Sequence, residues 1–117
     1  MAGIDWSYHR NGCKTCGKTQ DFILKHKLAQ PKITVDARKN RMSNTEALQL
    51  AHSVDKIFAT KGTKVLSFDM KKDKPDDKIL LSILIGPSGN LRAPTLKVGK
   101  TLLVGFDKEV YTQTLCP

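Results

Sequence analysis

Three cysteines occur in the chain, and two of them stand three residues apart as Cys13-Lys14-Thr15-Cys16. Such a pair supports two chemistries: attack of a thiolate on a disulfide with release through the second sulfur, or half of a tetrahedral zinc site. Zinc would need two more ligands. Cys116 stands next to the last residue, and His9, His26 and His52 show neither a His-x-x-x-His spacing nor a second cysteine knuckle. An odd cysteine count without a secretory pattern argues against a structural disulfide framework. A third reading, two cysteines packed as small hydrophobes, stays open beside the redox one.

What favours redox chemistry is where the elements put Cys13. The alternation Gly3-Ile4-Asp5-Trp6-Ser7-Tyr8 predicts a strand with Ile4, Trp6 and Tyr8 on one side, followed by a break at Asn11-Gly12. From Cys13 onward, Phe22, Ile23, Leu24 and Leu28 recur at helical spacing until Gln30-Pro31 forbids continuation. Cys13 then lies at the first turn of a helix, facing unpaired amide hydrogens and the positive end of the helix dipole, with Arg10 and Lys14 adding charge. These influences favour the thiolate. Cys16 follows about one turn further along the same face, where it can resolve a mixed disulfide formed on Cys13.

Ile33-Thr34-Val35 predicts a second short strand, which a crossover helix would make parallel to the first, and Asp36 to Arg41 reads as a basic connector. Ser43-Asn44-Thr45-Glu46 fits a capping box. Behind it Ala47, Leu50, Ala51, Val54, Ile57 and Phe58 predict a helix that Lys61-Gly62 would stop. Val65 to Phe68 is ambiguous between strand and helix. Pro75 with Asp76 and Asp77 opens another helix ending at Gly86-Pro87, and Thr95 to Val98 and Thr101 to Val104 flank Gly99-Lys100 as an antiparallel hairpin. Asp107 caps a last helix running to about Leu115. This order predicts an α/β fold, a four-stranded mixed sheet flanked by helices.

At 117 residues the chain suits one domain with one core, and its 39% hydrophobic and 26% charged residues exclude disordered and fibrous classes. Its longest apolar run, Ile79 to Ile85, is too short to span a bilayer, so the expectation is a cytoplasmic protein without membrane attachment. The net charge of +9 is concentrated early: residues 1 to 41 hold nine basic and three acidic side chains. Only seven aromatics occur, with no basic run interleaved with stacking residues, so direct nucleic-acid binding is not expected. An anionic substrate or an acidic partner surface suits the excess better.

Pro94 is the second position of interest. It opens the hairpin, and in the inferred sheet it falls beside the first helix's N-terminus. A cis bond there would leave the Ala93 backbone able to pair with an extended peptide or thiol substrate, and Arg92 could hold an anionic group.

The segments Tyr8-His9-Arg10-Asn11-Gly12-Cys13-Lys14-Thr15-Cys16, the capped middle helix, Gly86-Pro87-Ser88-Gly89-Asn90-Leu91-Arg92-Ala93-Pro94 and Val98-Gly99-Lys100-Thr101-Leu102-Leu103-Val104-Gly105-Phe106 together resemble the arsenate reductase (ArsC) and Spx family of thioredoxin-fold proteins, over about Trp6 to Leu115. The resemblance implies a single thioredoxin-like domain with a helical insertion at about residues 42 to 90, Cys13 as nucleophile, a cis Pro94 and glutaredoxin-like substrates. Arsenate reductases of this type have one active cysteine in the loop and an arginine directly before the proline as oxyanion ligand. Here Cys16 and Ala93 stand at those places, with Arg92 one step earlier. The Cys-x-x-Cys is similar to that of Spx, in which the fold is a redox-sensing regulator that binds RNA polymerase.

The resulting expectation is a thiol-disulfide oxidoreductase in which Cys13 and Cys16 react and Arg10, Arg92, Ala93 and Pro94 contact the substrate. It calls for no bound cofactor. A glutathione or thioredoxin-type thiol would serve as reductant, and a thiol, a disulfide or a protein redox partner as substrate. An Spx-like regulator and an arsenate reductase are the alternatives, and Cys116 reads as a terminal thiol without a role.

Overall fold

The computed structural model describes residues 3–10, 12–87 and 89–116. Asn11 of the expected break and Ser88 of the loop motif lie outside them. Strand β1 (Trp6–His9) leads through helix α1 (Lys14–Lys25) to strand β2 (Ile33–Asp36), and β1 and β2 pair in parallel with Trp6 opposite Ile33. This is the crossover that the sequence predicts. The hairpin is present too: β5 (Thr95–Val98) and β6 (Thr101–Val104) are antiparallel, joined at Gly99 with φ of 60°, and β5 pairs antiparallel with β1.

The segment between the two halves corrects the expectation of four strands and of a helical insertion over residues 42 to 90. It contains helix α2 (Asn44–His52), strands β3 (Lys56–Lys61) and β4 (Lys64–Asp69) and helix α3 (Asp77–Leu84). The mixed sheet therefore has six strands in the order β2-β1-β5-β6-β3-β4. The helix expected to run to Gly62 stops at His52. Beyond it Ile57 and Ala59 alternate into the core, and β3 lies parallel to β6 with Ile57 opposite Leu102 and Ala59 opposite Val104. Gly62, at φ 64°, turns a hairpin instead of ending a helix. The ambiguous Val65 to Phe68 lies in β4.

Helices cover both faces. On one, α2 and α3 bury Ala47, Ala51, Leu80 and Leu84 against Ile57, Leu102 and Val104; on the other, Phe22 and Ile23 of α1 meet Leu96, Val98, Leu103 and the last helix, α4 (Lys108–Leu115). Leu102 and Val104 face one layer and Leu103 the other, as the two-residue period of a strand requires. Caps fix the helix starts. The Glu46 carboxylate receives the Ser43 amide and hydroxyl, Asp76 accepts from the Ile79 amide at 2.9 Å, and Asp107 from the Val110 amide at 3.0 Å. Pro75 precedes the cap of α3 instead of standing inside its first turn.

Candidate active site

The site is assembled where β1 hands over to α1. The Cys13 amide donates to the Arg10 carbonyl at 3.3 Å, and Gly12, at φ 82°, turns the chain in a conformation that a side chain would resist. Cys13 is the N-cap of α1, with extended backbone angles (φ −88°, ψ 123°). Its sulfur accepts the Cys16 amide hydrogen at 3.4 Å, taking the place of a serine or aspartate cap. No acidic residue stands in the first turn to compete for the positive helix end.

The two thiols sit in different surroundings. Cys13 is partly exposed and its thiol points at the Ala93 carbonyl 3.8 Å away, whereas Cys16 is fully buried. Partial burial raises the Cys13 pKa, but the Cys16 and Thr15 amides, the Cys16 thiol and the Arg10 charge together outweigh it, and the value lies below that of an ordinary thiol. Burial, reinforced by the neighbouring Cys13 sulfur, pushes Cys16 up to about 12. One sulfur is thus disposed to react as thiolate and the other to keep its proton.

Behind Cys16, one turn along α1, the buried Thr19 hydroxyl lies 2.9 Å from that of Tyr111, which donates to the Gly105 carbonyl at 2.8 Å. This chain of bonds joins α1 to α4 and to the end of β6. Among the described residues, no cluster of three or more His, Cys, Asp or Glu side chains comes together as a metal site. Cys116 is half-buried at the end of α4 and packs on the apolar cluster around Phe22.

In front of Cys13 opens a cleft of about 600 Å³ lined by Arg10, Arg38, Arg41, Arg92 and Ala93, with Tyr8 and Leu91 as its larger apolar surfaces. Of the six residues expected at the site, Arg10, Cys13, Arg92 and Ala93 meet in this cleft, while Cys16 and Pro94 lie buried behind it. The Ala93-Pro94 bond is cis, as expected, and the Pro94 carbonyl accepts the Gly105 amide at 2.8 Å.

Arg92 is placed differently from a free anion ligand. Its guanidinium is half-buried and donates to the Thr60 carbonyl at 2.8 Å and toward the Ile83 carbonyl at 3.5 Å. It thereby ties the loop before Pro94 to β3 and to the C-terminal turn of α3.

Arg38 and Arg41 were not singled out by sequence reasoning. They belong to the connector between β2 and α2, which the fold folds back over the cysteine loop. Asp36 accepts the Arg38 amide at 2.9 Å, and the Tyr8 hydroxyl donates to the Asn40 carbonyl at 2.8 Å while accepting the Met42 amide at 3.1 Å. The Leu91 amide then donates to the Met42 carbonyl at 2.7 Å, so the two loops that wall the cleft are bonded to each other. The one signal in the sequence was the basic run itself, and it gives no direction in space.

A mixed sheet layered between helix pairs, with a thiol capping the first helix beside a cis proline, defines a thioredoxin-like α/β protein. The family model for the ArsC family matches residues 8–114, and the chain belongs to that family. Among solved structures it is similar to the YffB protein, at 18% identity and a TM-score of 0.55 over 94% of this chain and 97% of the other. It is also similar to a putative ArsC family related protein from Bacteroides fragilis, at 12% identity and a TM-score of 0.55 over 96% and 98%. At these identities the likeness carries the fold alone. No curated protein matches the chain.

Proposed function

We propose that this ArsC-family chain is a thiol-disulfide oxidoreductase with Cys13 as nucleophile and Cys16 as resolving thiol. The Cys13 thiolate attacks one sulfur of a disulfide, whose S–S bond breaks; one half leaves as thiolate and takes a proton from water, and the other half stays on Cys13 as a mixed disulfide. Cys16 then gives up its proton and attacks the Cys13 sulfur, releasing the second half. The substrate gains two electrons, and the protein keeps a Cys13-Cys16 disulfide. An external thiol of the glutathione or thioredoxin type returns the pair to the dithiol. The observation that carries this reading is the unlike pair: Cys13 partly exposed, accepting an amide hydrogen and set in a cationic cleft, Cys16 buried one turn away.

The test is reduction of a small disulfide by the prereduced protein. Cys13→Ser should lower the rate by about a thousandfold or more, to the uncatalysed background. Cys16→Ser should accumulate the mixed disulfide, visible as added mass. Activity that survives Cys13→Ser sinks the reading. Four arginines around Cys13 also favour a second one, arsenate reduction, whose oxyanion they would bind. It requires arsenate turnover, and Ala93 stands where arsenate reductases of this type place an arginine.

A further inference from the structure

The chain has four arginines and sixteen lysines, and all four arginines line the Cys13 cleft, while among the described residues no lysine and no side-chain carboxylate does. Arginine differs from lysine in presenting a planar fork that matches carboxylates and other oxyanions, so the sorting points to recognition and not merely to positive charge.

The four are not equivalent. Arg92 spends donors on the Thr60 and Ile83 carbonyls. Arg10, Arg38 and Arg41 are exposed, and among the described residues none of them is in an ion pair. Arg38 reaches the nucleophile's own loop: a Cβ placed on Gly12 would lie 3.6 Å from its guanidinium. The connector that carries Arg38 and Arg41 is held by Asp36 and by the Tyr8 hydroxyl, which lowers the cost of ordering it around a ligand. The cleft's volume is that of a site for a ligand of many atoms, several times what a tetrahedral oxyanion fills.

We propose that Arg38 and Arg41, together with Arg10, bind the carboxylates of a low-molecular-weight thiol or disulfide and thereby select it as the exchange partner of Cys13. This rests on the oxidoreductase reading above. Arg92 is assigned a positioning role, holding the loop whose Ala93 carbonyl meets the Cys13 thiol.

The experiment mixes prereduced protein with oxidised glutathione, which carries carboxylates, or with bis(2-hydroxyethyl) disulfide, which is uncharged, and compares the second-order rate constants. In Arg38→Ala/Arg41→Ala the ratio of charged to uncharged rate should fall about tenfold or more, and Arg38→Lys/Arg41→Lys should recover part of it. Raising the salt concentration should lower the wild-type ratio in the same direction. A ratio unmoved by the double alanine change overturns the proposal. So does protection of Cys13 from alkylation by sodium arsenate that the double variant abolishes while the ratio stays put, since the arginines would then serve an oxyanion. If the wild type reduces neither disulfide, it is the oxidoreductase reading that fails.

Discussion

The two cationic regions of this molecule are built from different residues. Among the described residues the cations that line the cleft in front of Cys13 are all arginine, and three of them lie on loops braced by hydrogen bonds. On the β3-β4 hairpin and the loop after it they are all lysine: Lys56, Lys61, Lys64, Lys71, Lys72 and Lys74. That hairpin closes one edge of the sheet, and its outer strand leaves Val65 and Leu66 more than a third exposed. Lysines on such an edge keep it solvated and discourage pairing with another chain. Arginine suits a place where a ligand would be held in one geometry, lysine a surface that stays in water.

The contrast can be broken at several points. The largest effect on stability should come from the hairpin's inner face: Ile57→Ala empties a fully buried position between α3 and β6 and should cost about 3 kcal/mol in urea unfolding. Arg92→Met should cost about 2 kcal/mol, because the Thr60 and Ile83 carbonyls lose their donor; Arg92→Lys should recover less than half, since an ammonium cannot span both. Gly62→Ala, at a left-handed φ of 64°, should cost about 1 kcal/mol. Smallest of all, Lys61→Ala and Lys64→Ala should move stability by less than about 0.5 kcal/mol. They should leave disulfide exchange unchanged. A lysine variant that altered exchange as strongly as the arginine pair would erase the distinction.

The unlike thiols give the molecule a pH signature. Cys16 is raised to about 12 in the fold, so its neutral form contributes stability that is complete below the ordinary thiol pKa and is lost as pH climbs toward 12. Cys13 is lowered, and its contribution has the opposite sign: present above the ordinary thiol pKa, lost as pH falls through the lowered value. Stability should therefore decline on the alkaline side, and Cys16→Ala should flatten that decline, measured by urea unfolding between pH 8 and about 11.

Much of the site could be read from local sequence because its parts are local. Gly12 and Cys13 at a strand-to-helix junction, the Ser43 and Glu46 box, Asp107 as a cap and Gly99 in a two-residue turn each act within a few residues. The strands β3 and β4 could not be read this way. Ala47, Leu50, Ala51, Val54, Ile57 and Phe58 keep helical spacing straight through the change to strand, and Gly62 suits a helix stop as well as a hairpin. What decides is a parallel partner more than forty residues away, β6, offering Leu102 and Val104. Arg38 and Arg41 were hidden for the same reason. Only the hydrogen bonds that close the β2-α2 connector over Cys13 turn a basic run into one wall of a cleft.

The account stands on the inequality between the two sulfurs of α1. It is tested most directly by the rate of iodoacetamide modification against pH, resolved by peptide mass for each cysteine. Cys13 should titrate below the ordinary thiol range and react first at neutral pH, while Cys16 stays unmodified until strongly alkaline conditions. Equal rates for the two, or modification of Cys16 ahead of Cys13, would contradict it.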